Sequence, residues 1–287
     1  MATPLSASAF VAALKAEGVR VAEYPGWRTR ERDDETGKPF GPVHGVLIHH
    51  TAGSNSLEVI ARTGRPDLPA PLAHSHLAKS GLATMCSAGR ANHAGLAAVN
   101  AYNALLNESS THPTPSKASG TVDGNDVLYG LEIENLGNGK DPYPDVQYDA
   151  AVRWAAALCR AHGWGANSVA GHKETSVEGK VDPSFPMGQF RTDVAARLAH
   201  PASWNPADNE EPAVALTAAD VKTVWLTDGV VKNPNPATSP ANPFIAPATG
   251  LNNIEIVARR TEAQVSALTA TVDKLVAAVA ALTPKES

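Results

Sequence analysis

The sequence predicts an α/β protein, helices laid over a β-sheet, that continues through a linker into one heptad-patterned helix. Three features carry this expectation. Residues 1–200 mix apolar, strand-like runs with segments of helical periodicity; residues 201–250 are rich in Pro, Asn and Ala; residues 251–283 repeat apolar side chains every three to four positions. A chain of 287 residues is long enough for a well-buried first domain and a smaller second part.

Taken in order, the first twenty residues, MATPLSASAFVAALKAEGVR, lack the basic flank and continuous apolar segment of a secretory signal and read as an amphipathic surface helix. Strands are expected at 43–49, 73–79, 83–87 and 127–134. Residues 100–126, rich in Asn, Ser, Thr, Pro and Gly, form a connection longer than most in compact domains; such a loop borders a binding site or is disordered. The clearest helix spans 145–162, where Val152, Trp154, Ala155, Leu158 and Cys159 recur at helical spacing and Gly163 supplies a stop. A further helix near 189–199 closes the domain, and one short helix at 218–226 interrupts the linker. In the tail, Leu251, Ala258, Val265, Val272 and Val279 fall at heptad position a, and Ile254, Thr261, Leu268, Leu275 and Leu282 at d. Valine at a with leucine at d favours a parallel two-stranded coiled coil, although Ala258 and Thr261 weaken its first turns and the flanking positions carry few charges.

Composition narrows the partners. No apolar run approaches the 18 or so residues of a membrane span, and 43% hydrophobic content is ordinary for a water-soluble protein, so membrane insertion is not expected. A net charge of −5 without a lysine or arginine tract argues against nucleic acid or an anionic membrane. Cys86 and Cys159 are the two cysteines; they exclude a disulfide framework and read as reduced core thiols.

The chemistry is concentrated in three clusters. In Gly45-Val-Leu-Ile-His-His-Thr-Ala-Gly53 a buried strand runs into two histidines, of which alternation lets one point into a given cleft. His172 precedes Asp182 by ten residues across a polar loop, short enough for both to reach one ion. Two imidazoles and one carboxylate would make a zinc site with a fourth position left for water, the arrangement of a hydrolytic zinc. In Leu128-Tyr-Gly-Leu-Glu-Ile-Glu-Asn135, Gly130, Glu132 and Glu134 share one strand face and Tyr129, Leu131 and Ile133 the other. A carboxylate on the polar face is placed to accept a proton, unless the segment is only a solvent-facing edge strand.

With Asn92-His-Ala-Gly95, Gly130-Leu-Glu132, Gly171-His172 and Lys180-x-Asp-Pro183 following His49-His-Thr-Ala52 in order, the sequence resembles the zinc-dependent N-acetylmuramoyl-L-alanine amidases: phage endolysins, wall-recycling amidases and animal peptidoglycan recognition proteins. The resemblance spans roughly residues 40–195. It implies the family's fold, a mixed central sheet flanked by helices, and one Zn²⁺ per catalytic domain held by His49, His172 and Asp182. It makes Glu132 the general base, Lys180 an oxyanion-stabilising cation, and Thr51, Asn92 and His93 lining of the substrate groove. Where many phage members carry a tyrosine near the zinc, this chain has His74, which would take that catalytic role, with His76 on the same strand face as its competitor.

The implied activity is hydrolysis of the amide between N-acetylmuramic acid and L-alanine in bacterial peptidoglycan, with a non-catalytic peptidoglycan-binding module or a zinc endopeptidase of the stem peptide as alternatives. The long tail suits a phage endolysin made in the host cytoplasm without a signal peptide, reaching the wall after the membrane is permeabilised. The tail would pair two chains as a homodimer, bind wall polymer, or act as a spacer.

Overall fold

The computed structural model describes residues 1–205, 218–227, 231–232 and 244–282, and the chain divides into two compact units, Met1–Pro206 and Ala207–Ser287.

The first unit is built on a six-stranded mixed sheet. Its strands are β1 (Arg20–Glu23), β2 (Val46–His50), β3 (Ser75–Leu77), β4 (Leu82–Met85), β7 (Tyr129–Ile133) and β8 (Val169–Gly171), in the order β1-β4-β3-β7-β2-β8. All neighbours run parallel except β3 and β4, which form a hairpin closed by Gly81 at φ +75°, a conformation glycine adopts without steric cost. Between β4 and β7 a small antiparallel pair, β5 (Leu96–Ala98) and β6 (Gly120–Asp123), lies outside this sheet.

One face of the sheet is covered by helices. The Asp145–His162 helix buries Val152, Trp154, Ala155 and Leu158 against Val46, Ile48, Leu131 and Ile133; it ends where Gly163 turns left-handed at φ 71°. Buried Trp154 donates its indole N–H to Ser75 Oγ at 3.0 Å, so the large ring enters the core without stranding a polar atom. The Met187–Leu198 helix packs beside it through Phe190 and Val194.

The amino-terminal helix forms at Ala7–Ala16 with Ser6 as its N-cap, and it is more than a surface element: Phe10 and Leu14 enter the main core. Just beyond it, Glu17 is 1% exposed and accepts from Arg160 and Arg197 at 3.0 and 2.9 Å. On the opposite face Leu47, Leu128 and Ala170 pack against Tyr102 and Leu105.

Those last two residues correct one expectation. The stretch 100–126 is not a structureless connection: it contains the Val99–Leu106 helix, β6 and a short helix at Gly124–Val127. Ala101, Tyr102, Ala104 and Leu105 supply a buried helical stripe that the surrounding Asn, Ser and Pro residues hide in a composition reading.

In the second unit, the Ala218–Leu226 helix packs beside a helix at Pro247–Leu282, and two-residue strands at Val231–Lys232 and Phe244–Ile245 pair antiparallel. Of the expected linker, residues 206–217, 228–230 and 233–243 lie outside the described residues. Along the long helix Ile254, Val265, Leu268, Val272 and Leu275 are all exposed. Among the described residues no helix is long and apolar enough to cross a membrane.

Candidate metal centre and cavity

β2, β7 and β8 are adjacent and parallel, so their carboxyl ends open together on one edge of the sheet. His49 ends the β2 stripe that begins at Leu47, pointing away from the three-helix layer, while the neighbouring His50 takes the other parity. His50 Nδ1 instead lies 3.1 Å from the Tyr143 hydroxyl. His172 follows β8 as the first residue of a short helix, His172–Thr175. The preceding Gly171 is needed because a Cβ there would lie 2.8 Å from Pro183 Cδ, which belongs to the loop carrying Asp182.

That loop is tied down by Lys173, a residue the sequence did not single out. Its backbone N–H donates to the Asp182 carbonyl at 2.8 Å; its ammonium donates to the Pro183 and Phe185 carbonyls.

The result is a small triangle of donor atoms. His49 Nδ1 and His172 Nδ1 are 3.0 Å apart, and Asp182 Oδ2 lies 3.1 and 3.2 Å from them. Four ligands at 2.0–2.1 Å around a tetrahedral zinc sit about 3.3 Å from one another, so the spacing suits one ion. His172 Nε2 donates to the Ala94 carbonyl at 3.1 Å, which leaves the lone pair of its Nδ1 facing the triangle. Among the described residues this is the group of three His, Cys, Asp or Glu side chains able to hold a metal ion; the donor set fits a divalent cation of zinc's kind.

Electrostatics agree with a neutral His49 imidazole beside a charged carboxylate. Burial, with His172 adding to it, lowers the His49 pKa to about 4. Burial pushes the Asp182 carboxyl up, but the imidazoles of His172 and His49 beside it outweigh burial and hold the group far below the usual carboxylate range. Both states favour metal over protons.

Glu132 sits opposite His49 in the β2–β7 register, on the same sheet face. Its Oε2 is buried and has no hydrogen-bond partner. Burial first, and the Asp182 charge second, raise its pKa well above the ordinary value, a property suited to a group that exchanges a proton near neutrality.

These residues open into a cavity of about 510 Å³, lined by Thr51, Asn92, His93, Glu132, His172, Lys180 and Asp182, with Val59, Ile60, Leu68 and Leu72 as its apolar wall. Lys180 lies at the exposed side, its Nζ 3.2 Å from Glu178 Oε2. Two of the expected groove residues have their polar groups committed to the protein. Thr51 Oγ1 donates to the Gly53 carbonyl, and Asn92 Nδ2 donates to the Pro69 carbonyl at 2.8 Å. His93 touches the cavity from below, its Nδ1 3.0 Å from His49 Nε2.

His74 lies outside the donor triangle, its ring 5.5 Å from that of His93. It is fully buried, is not part of the cavity wall, and packs among Phe10, Phe40 and Tyr129. Its Nδ1 accepts the Gly130 N–H at 2.9 Å, so its lone pair is spent on the backbone. His76 is also buried, 3.0 Å from Ser56 Oγ and 3.4 Å from Glu134 Oε2. His44 is buried against Trp164. Cys86 and Cys159 are free and buried; burial raises the Cys86 thiol to about 12.

Residues 39–185, just over half of the chain, match the family model described as Amidase_2, N-acetylmuramoyl-L-alanine amidase. No curated protein matches the sequence. Similar solved structures include the endolysin amidase LysCS from Clostridium intestinale URNW, at 12% identity over 61% of this chain and 95% of that one, with a TM-score of 0.42. Another is AmiD from E. coli, in complex with the substrate anhydro-N-acetylmuramic acid-L-Ala-D-γ-Glu-L-Lys, at 19% identity over 54% and 58%, TM-score 0.38. AmpDh3 from Pseudomonas aeruginosa, in complex with anhydromuramic pentapeptide, is 22% identical over 54% and 60%, TM-score 0.38. The family match spans His49, Glu132, His172, Lys180 and Asp182 together. By that match this chain belongs to the N-acetylmuramoyl-L-alanine amidase family.

Proposed function

We propose that this protein is a zinc-dependent N-acetylmuramoyl-L-alanine amidase that releases stem peptides from bacterial peptidoglycan, and that it serves as a phage endolysin. The observation that carries the enzymatic reading is the convergence of His49 Nδ1, His172 Nδ1 and Asp182 Oδ2 beside a buried, partnerless carboxylate oxygen of Glu132.

His49, His172 and Asp182 would hold the ion. Zinc bound there would supply Lewis-acid polarisation of the scissile lactyl carbonyl and of the attacking water. Glu132 accepts a proton from that water and returns it to the departing L-alanine nitrogen; its raised pKa lets one group do both. Lys180 offers positive charge to the carbonyl oxygen as negative charge develops on it. The apolar wall of Val59, Ile60, Leu68 and Leu72 limits water around the reacting amide.

The exposed Ile254, Val265, Leu268, Val272 and Leu275 of the long helix support pairing with a second copy, because valine at a and leucine at d suit a parallel dimer. The benefit would be avidity for a polymeric wall. Synthesis in the host cytoplasm followed by access through a permeabilised membrane is the localisation that goes with this role.

Two measurements test the reading: metal content of the purified protein, and mass spectrometry of fragments released from cell walls. The expected results are about one zinc per chain and free muramoyl lactyl groups with new amino-terminal L-alanine. Cuts inside the stem peptide would turn the assignment to an endopeptidase. Binding without release would make the protein a wall-binding module.

A further inference from the structure

We propose that His93 is a positioning residue that fixes the tautomer of His49, and that the 93–94 segment orients both metal-side imidazoles at once. The inference deepens the metal-site reading above and rests on it for its consequence, while its hydrogen-bond chain can be tested without metal.

The chain begins at a backbone carbonyl. Leu128 O lies 3.1 Å from His93 Nε2, and a carbonyl only accepts, so His93 carries its proton on Nε2. Neutral His93 then presents a lone pair at Nδ1, which lies 3.0 Å from His49 Nε2. His49 must donate there, and its own Nδ1 is left bare toward His172 and Asp182. The next residue acts on the other imidazole, since the Ala94 carbonyl accepts from His172 Nε2. Two backbone carbonyls, one of them acting through His93, thereby settle which nitrogen of each histidine faces the ion.

The fold holds this segment rigidly. Asn125 Oδ1 accepts from the backbone N–H groups of His93 and Ala94 at 2.8 and 2.7 Å. Gly130 gives the ring its place: a Cβ there would sit 2.4 Å from His93 Nδ1, so strand β7 carries glycine where the imidazole lies across it. His93 is buried against these partners, which leaves its two ring nitrogens to the Leu128 carbonyl and His49.

Without the His93 acceptor, His49 would be free to move its proton to Nδ1 and donate it to Asp182 Oδ2, 3.1 Å away. That tautomer occupies the metal's place with a proton. Outer partners of this kind are worth about 10- to 100-fold in metal affinity.

The test uses the full-length protein, stripped of metal and labelled with ¹⁵N. Long-range ¹H–¹⁵N correlation spectra above the ordinary histidine pKa of about 6.5 report each ring's tautomer. In the wild type, His93 and His49 are both expected as Nε2–H. In His93→Phe, which keeps a ring and removes both nitrogens, His49 is expected to gain Nδ1–H character, and zinc affinity measured by chelator competition should drop about 10- to 100-fold. His93→Asn, whose Oδ1 can still accept near the Nδ1 position, should retain most of the affinity and covers the case in which the phenylalanine variant fails to fold. A wild-type His93 protonated on Nδ1, or unchanged His49 tautomer and zinc affinity in His93→Phe, overturns the proposal. If the tautomers behave as expected but the wild type takes up no zinc, the hydrogen-bond chain stands and the metal reading falls.

Discussion

Strands β2 and β3 lie on either side of β7 and both bring histidines to the same sheet face, yet only β2 contributes one to the donor triangle. The difference is which nitrogen the protein interior claims. At His49 the interior takes the N–H, through His93, and the lone pair faces outward. At His74 it takes the lone pair, through the Gly130 N–H, and the remaining N–H is enclosed by Phe10, Phe40 and Tyr129. An imidazole on the right strand face is therefore not enough; its inner hydrogen bond decides whether it can serve as a ligand.

The sharpest way to break this contrast is to remove a ligand. Asp182→Ala should leave only the two imidazoles, deplete zinc in metal analysis, and lower turnover on cell walls by at least about 10³-fold; an active, zinc-replete variant would end the metal reading. Glu132→Gln should lower turnover about 10²- to 10⁴-fold while zinc content stays at the wild-type level. Near-normal release of peptide amino termini would remove Glu132 from the mechanism.

On the β3 side the expected effect is on stability rather than catalysis. Burial lowers the His74 pKa to about 3, below the unfolded value of about 6.5. As pH falls from about 6.5 toward 3, the unfolded chain gains this proton and the folded one does not, so stability is lost over that window. The slope is about 1.4 kcal/mol per pH unit for one such group. His74→Asn, which keeps an acceptor for Gly130, should flatten the pH dependence of denaturant unfolding by about that slope and leave turnover near wild type. A large loss of turnover with zinc retained would return His74 to the catalytic machinery.

The smallest effect on the chemistry is expected from the tail. A version ending at residue 205 should match full-length turnover on soluble muropeptides, sediment as a monomer where the full chain sediments as a dimer, and lose avidity on intact walls. Equal monomer masses for the two would dismiss pairing.

Much of this was legible in the residues, for identifiable reasons. The helices at 145–162 and 218–226 were expected at the boundaries the structure gives, Asp145–His162 and Ala218–Leu226; in the first, helical periodicity and a stop at Gly163 agree. β1 escaped notice because Arg20-Val-Ala-Glu23 is four residues long with charged ends, as suits a sheet edge. The Val99–Leu106 helix was masked by its polar neighbours. At the site, the motifs marked every residue that meets in the triangle, since strand ends and glycine turns leave a local signature. Lys173 and Asn125 left none: their work is to bond backbone groups brought near by tertiary folding. The enclosure of His74 depends on Phe10 and Phe40, distant in sequence, and no local pattern could announce it.

The family match begins at residue 39, but Glu17 is buried between Arg160 and Arg197. Anyone recombining this catalytic unit with other modules by cutting at the family boundary would strand the largely buried Arg197 guanidinium without its counter-charge, a loss of about 3–5 kcal/mol, together with the core contributed by Phe10 and Leu14. Chimeras should therefore inherit the leader helix as part of the enzyme, whatever is attached in front of it.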